Sequence, residues 1–147
     1  MSLLNSIKIG ASGLNTHAKR LEIHAKNIAN IDTPNYVRKI PVIMATQDIS
    51  FSGLLNRMKE NVFNIGVLPH NSGGVSFTGV VEDPTLGELQ YAPGHPDADA
   101  NGYIRRSNVD PMVDMADSIL TSKAYEASLA IVSITKAMTQ RATEIGR

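Results

Sequence analysis

From Leu4 to Ile28 an apolar residue returns every three or four positions: Leu4, Ile7, Ala11, Leu14, Ala18, Leu21, Ala25 and Ile28. This heptad seam predicts one continuous helix over residues 3–30, about 40 Å long at the α-helical rise. The opposite face carries Lys8, Asn15, Lys19, Glu22 and Lys26, with Glu22 four residues ahead of Lys26 in the favourable order. Alanine at alternate seam positions keeps the stripe thin, and Gly10 and Gly13 permit close helix approach. The other end of the chain mirrors this pattern. Asp110 is a good N-cap, and Pro111 stands where a missing N–H costs nothing. Val113, Ala116, Leu120, Ala124, Ala127, Ile131, Ile134, Met138, Ala142 and Ile145 form the second seam, wound slightly more loosely than a strict coiled coil. Long helices with thin seams are marginal alone. The chain is therefore confined to folds in which both terminal helices find partners.

Between them the pattern changes. Pro34 pushes Thr33 out of the α region, so the first helix stops near "NIDTPNY". Thr33-Pro34-Asn35-Tyr36 suits a type II turn with Asn35 in the left-handed position. "YVRKIPVIMA", "GVSFTGVVE" and "GELQY" read as short strands separated by glycines and prolines. Residues 51–60, "FSGLLNRMKE", fit a short helix or a loop equally. The expected fold class is α+β: two long terminal helices, coiled-coil-like and packed in an assembly, around a small β-containing middle.

Net formal charge over the 147 residues is zero, which marks the chain for neither nucleic acid nor anionic membrane. The charges are nevertheless sorted. Residues 1–40 hold six Lys/Arg and two Asp/Glu, residues 41–104 hold two and seven, and residues 105–147 hold six and five. The ends and the middle therefore differ physically, and a basic N-terminal segment could meet an acidic middle of a neighbouring copy. The absence of cysteine excludes disulfides and thiolate chemistry. The opening residues lack the charged start and apolar block of a secretory signal, so any export is expected to proceed without a cleaved leader.

No catalytic pattern emerges. Ser-centred and Gly-rich nucleotide motifs are missing, and basic residues are dispersed without aromatic interleaving. His17 and His24 stand seven apart, too far along a helix to share one metal, and read as solvated residues at the seam edge. Asp110, Asp114 and Asp117 read as a helix-capping cluster. Asp97, Asp99, Asn101 and Gly102 match the first half of a calcium loop, but Asn108 stands where a bidentate Glu is required and Arg105 opposes a cation. Backbone-bonded turn residues are the stronger reading. The expectation is no enzyme, no cofactor, no metal, no nucleic acid and no small-molecule substrate. An assembly subunit explains both seams and the charge sorting; an enzyme lacks a site, and a helical adaptor would stop at a dimer.

Three segments carry a family resemblance. "NIANIDTPNYVRK", with Asn30, Asp32, Thr33, Pro34, Asn35 and Tyr36, resembles the signature that closes the N-terminal helix of bacterial flagellar axial proteins. "YAPGHPDADANGYIRRSNVD", containing Tyr103, Asn108 and Asp110, resembles a segment of the FlgC-type proximal-rod family, and "SKAYEASLAIVSITKAM" resembles that family's last helix. Asn35 replaces the usual Gly and Ser107 replaces the usual Pro; Asn tolerates the left-handed region, and Ser107 should loosen the approach to the last helix. Other flagellar rod and axial proteins are the alternative reading, disfavoured for hook and distal-rod types by the short chain. The resemblance implies a structural subunit of the basal-body rod in the periplasmic space, exported through the flagellar type III apparatus. It further implies torque transmitted through packed terminal helices, with other rod subunits and copies of itself as partners. The domain division it implies is 1–33 and 108–147 as an inner helical unit, with 34–107 as the middle.

Overall fold

The computed structural model describes residues 3–46 and 73–145, and the undecided segment 51–60 lies outside them. The fold is α+β. Helix α1 spans Leu3–Ala29 and helix α2 spans Pro111–Ile145. Among the described residues four short strands lie between them: β1 Lys39–Ala45, β2 Val75–Glu82, β3 Leu89–Tyr91 and β4 Tyr103–Arg105. The three expected strand segments are present. The fourth, β4, is only three residues long and had no periodicity by which to announce itself.

The strands form two separate antiparallel ribbons, β1–β2 and β3–β4. In the first, Lys39 stands opposite Glu82 and Ala45 opposite Val75, with a bulge at Val42/Ile43 that leaves Thr78 as the extra residue. In the second, Leu89, Gln90 and Tyr91 pair with Arg105, Ile104 and Tyr103. The β1–β2 ribbon packs against α1, where the Lys19 ammonium lies 5.4 Å from the centre of the Phe77 ring. The helices run antiparallel: Gly10 lies against Val132, Gly13 against Ser128, and the far end of α1 reaches Asp114.

The turn after α1 is closed by local bonds. Tyr36 N–H donates to Thr33 O at 3.3 Å, and Asn35 sits at φ 61° with its N–H donating to Arg105 O at 2.9 Å. The first helix is thereby tied to β4. Among the described residues the buried apolar side chains are only Ile23, Ile104 and Val109. A chain with so little apolar core is not held together mainly by hydrophobic burial within itself.

Candidate assembly surfaces

What joins the helices to the strands is a polar cluster centred on Asp114, whose carboxylate is fully buried. Its Oδ1 accepts from His24 Nδ1 at 2.9 Å and from Asn27 Nδ2 at 3.1 Å; its Oδ2 accepts from Arg38 Nε at 2.8 Å. A carboxylate only accepts, so His24 carries its proton on Nδ1. Asn27 is equally buried and works in both directions. Its amide donates to Lys39 O at 2.8 Å while its oxygen accepts from Lys39 N at 3.0 Å and Tyr36 Oη at 3.1 Å. Arg38 also lies 3.8 Å from Asp83 and from Asp117.

Burial by itself would push the Asp114 carboxyl up. The hydrogen bonds from His24, Asn27 and Arg38, with the guanidinium charge, outweigh it and hold the group below its ordinary range. Two expectations are corrected here. Asp114 does not cap the helix; Asp110 does, its Oδ1 accepting from Met112 N at 2.9 Å. His24 is not solvated: it is 3% exposed, because its ring is needed beneath α2 as a donor to a charge that has left water.

The faces the helices turn towards each other are polar and small. On α2 they are Asp114, Thr121, Ser128 and Thr135, all buried and seven residues apart; on α1 they include Gly10, Gly13, His24 and Asn27, while buried Thr16 donates to Val75 O of β2 at 3.3 Å. A Cβ on Gly10 would stand 2.7 Å from Val132 Cγ2 and one on Gly13 2.8 Å from Ser128 Oγ, so the backbones approach where α1 has no side chain. The two apolar seams lie mostly to the side of this contact, with Ile131 Cγ2 at its edge, 3.6 Å from where a Cβ on Gly10 would stand. On α1, Ile7, Leu14, Leu21 and Ile28 are half-buried, whereas Leu4, Ala11, Ala18 and Ala25 are exposed. On α2, Val113, Ala116, Leu120, Ala127, Ile131, Ile134 and Met138 are exposed and Ala124 is half-buried. Met112, Met115, Ile119 and Leu129 add exposed apolar surface on the far flank of α2. A helix whose exposed surface carries this much hydrocarbon beside its charged residues, with its polar line turned to its own chain, is built to be covered.

Two family models cover the parts that meet at Asp114. One, described as "Flagella basal body rod protein", matches residues 7–36; the other, "Flagellar basal body rod FlgEFG protein C-terminal", matches residues 100–145. The chain is 32% identical to the flagellar basal-body rod protein FlgC of Bacillus subtilis over 157 aligned positions, covering 100% of both chains. It is 32% identical over 148 positions to FlgC of Salmonella typhimurium, and 34% identical over 155 to FlgC of Buchnera aphidicola subsp. Baizongia pistaciae, each again with full coverage. The chain belongs to the FlgC family of flagellar basal-body rod proteins.

The motif residues of this FlgC-family chain fall in two places. In the turn, Asn30 Nδ2 donates to Lys26 O at 2.8 Å and Thr33 Oγ1 to Asn30 Oδ1 at 3.2 Å. Pro34 and Asp32 line a cleft with Ile31, Gln90, Ile104 and Arg106, where Arg106 lies 3.9 Å from Asp32. In the β3–β4 loop, Asp99 Oδ1 accepts from Asn101 N at 2.9 Å and Tyr103 N at 2.8 Å, and Gly102 takes φ 80°. The carboxylate is thus used to shape a turn, and Asp97 stays on the exposed rim. Asn108, one of the motif residues, is a connector. Its Oδ1 accepts from Arg38 N at 2.6 Å and its Nδ2 donates to Thr85 O at 2.7 Å, so one side chain holds three separate segments. Spacing along the sequence offered no signal for the bonds of Asn108 to Arg38 or of His24 and Asn27 to Asp114, which join residues 70 to 90 positions apart.

Proposed function

We propose that this chain is a structural subunit of the proximal flagellar rod, exported through the flagellar type III route and packed into the rod in the periplasmic space. In the rod its two terminal helices lie in an inner layer, against copies of itself and other rod subunits, and transmit torque by staying packed; there is no turnover. The strand ribbons form the outer unit. The observation that carries this reading is the inverted burial of α2: its polar line faces α1, while Leu120, Ile131, Ile134 and Met138 stand between 48% and 66% exposed. Such surface has no use in a free monomer and is ordinary at an interface that stays assembled. The names of its relatives support the rod as the place of assembly, and no helix among the described residues is long and apolar enough to cross a membrane.

The test is Ile131→Glu, with Lys136→Glu as an exposed control on the same helix. Because Ile131 is 48% exposed in the single chain, the substitution should cost the isolated protein less than about 1 kcal/mol. In the rod it sets a carboxylate against aliphatic neighbours, which opens the packing. Complementation of a rod-deficient strain should therefore fail with Ile131→Glu and succeed with Lys136→Glu, while circular dichroism of the two purified variants stays alike. Full motility with Ile131→Glu refutes the assembly role of this face.

A further inference from the structure

The β3–β4 loop carries one dipeptide whose chemistry the helix seams leave unused. Of the chain's asparagines only Asn101 is followed by glycine. An asparagine side chain can be attacked by the backbone nitrogen of the next residue, and glycine offers that nitrogen without a Cβ to crowd the approach. Position 102 has to be glycine on structural grounds. Its φ is 80°, and a Cβ there would stand 3.1 Å from both Pro93 Cβ and Tyr91 Cε2. The tight turn thus demands the residue that makes its neighbour reactive. Asn101 itself is exposed, so water reaches its amide.

The same turn ties up the attacking atom. Gly102 N–H donates to Asp99 O at 2.9 Å, so its hydrogen is engaged within the chain. Asp99 Oδ1 fixes the backbone on both sides, accepting from Asn101 N at 2.9 Å and from Tyr103 N at 2.8 Å. Asp99 N–H donates to Tyr103 O and Ala92 N–H to Gly102 O, each at 2.9 Å. Attack requires that the Gly102 N–H proton be lost and that the backbone between Asn101 and Gly102 rotate. Both disrupt these bonds.

We propose that Asn101 is a self-modification site, converting to aspartate and isoaspartate, and that the turn closed by Asp99 sets its rate by freeing the Gly102 nitrogen only when it opens. In the open loop hydroxide removes the Gly102 N–H proton, and the nitrogen bonds to Asn101 Cγ. The side-chain nitrogen leaves as ammonia, taking a proton from water, and a five-membered succinimide remains. Water then opens the ring. Attack at Cγ gives aspartate; attack at the main-chain carbonyl carbon leaves Gly102 joined through Cγ, as isoaspartate. One water is consumed and one ammonia released, with no oxidant or cofactor. Isoaspartate lengthens the main chain by one carbon inside the turn, so Tyr103 no longer meets Asp99 and its edge-to-face contact with Tyr91, at 5.2 Å, is broken. This chemistry needs neither the α2 face nor assembly.

The test is peptide mapping by mass spectrometry of the purified full chain, incubated in mildly alkaline buffer either folded or in urea, with isoaspartate separated from aspartate by chromatography. In urea Asn101 should convert faster than every other asparagine. In the folded chain its rate should fall roughly tenfold or more, by the fraction of time the turn is open, and amide exchange at Gly102 should report the same fraction. Asp99→Ala removes the acceptor of two backbone N–H groups and should speed the folded chain at least about threefold. Asp99→Asn keeps an accepting oxygen and should stay near the parent. Far-ultraviolet circular dichroism of each variant distinguishes a lost turn from a lost fold; should Asp99→Ala unfold, the parent's folded and urea rates and its Gly102 exchange still decide. Equal rates in the folded and urea-unfolded parent overturn the proposal. So does an Asn101 that converts in urea no faster than the other asparagines, or a folded Asp99→Ala that matches the parent.

Discussion

Removing the Asp114 carboxylate is the most severe local test of how this chain holds together. In Asp114→Ala the donors of His24, Asn27 and Arg38 lose their acceptor in a site closed to water. Breaking a buried charged pair from one side costs about 3–5 kcal/mol. Arg38 is 18% exposed and keeps Asp83 and Asp117 at 3.8 Å, so its charge is partly relieved. The lower end of that range, about 3 kcal/mol, is therefore expected. Asp114→Asn keeps the shape and one accepting oxygen but turns an NH2 group towards donors, for a loss of about 2 kcal/mol. Asp117→Ala removes a partner that is 38% exposed and should cost under about 0.5 kcal/mol. The assay is urea unfolding of the purified chain followed by far-ultraviolet circular dichroism, with amide exchange at Asn27 and Lys39 reporting release of α1 from β1. If Asp114→Ala loses no more than Asp117→Ala, the cluster does not join the helices to the strands, and the architecture argued from it is wrong.

Three further outcomes follow from the same geometry. The Asp114 carboxyl is held below its unfolded value of 3.8, so its contribution is fully present above about pH 4 and is lost as pH falls through the depressed folded value; acid titration of stability should be flatter below pH ~4 in Asp114→Asn than in the parent. At φ 61°, Asn35→Gly should be neutral or slightly stabilising while Asn35→Val costs about 1–2 kcal/mol, and equal thermal midpoints for the two would refute the left-handed turn. Gly10→Val forces its side chain into Val132 and should cost about 1–3 kcal/mol, with Val132→Ala in the same chain recovering part of the loss; a strictly additive double variant would show that the two do not touch.

The elements were largely legible in the sequence; the direction of their contacts was not. Seam spacing placed a helix over 3–30 where α1 spans Leu3–Ala29, and alternation located three of the four strands. Pro34 and Asn35 marked the turn because their backbone preferences are local. The Asp114 cluster was invisible for the opposite reason. His24 and Asn27 lie about ninety residues from Asp114, and a lone polar residue on a helix reads equally well as surface or as cap. A finer signal was present: Asp114, Thr121, Ser128 and Thr135 repeat every seven residues, although other polar residues of the same helix blur the line. Periodicity reports that a stripe contacts something, without reporting what. In a self-contained domain the apolar stripe wins the interior, because burial of hydrocarbon is the main term within the chain. Here the interior of the helix pair goes to the Asp114 hydrogen bonds at one end, to Ser128 and Thr135 bonded back to their own helix, to Thr121 and to glycine, which contribute little net attraction. The hydrocarbon is left outside, where burying it requires neighbours. On the proposed rod role, stability of the helix pair is therefore tied to assembly, and the exposed face of α2 is the physical form of that dependence.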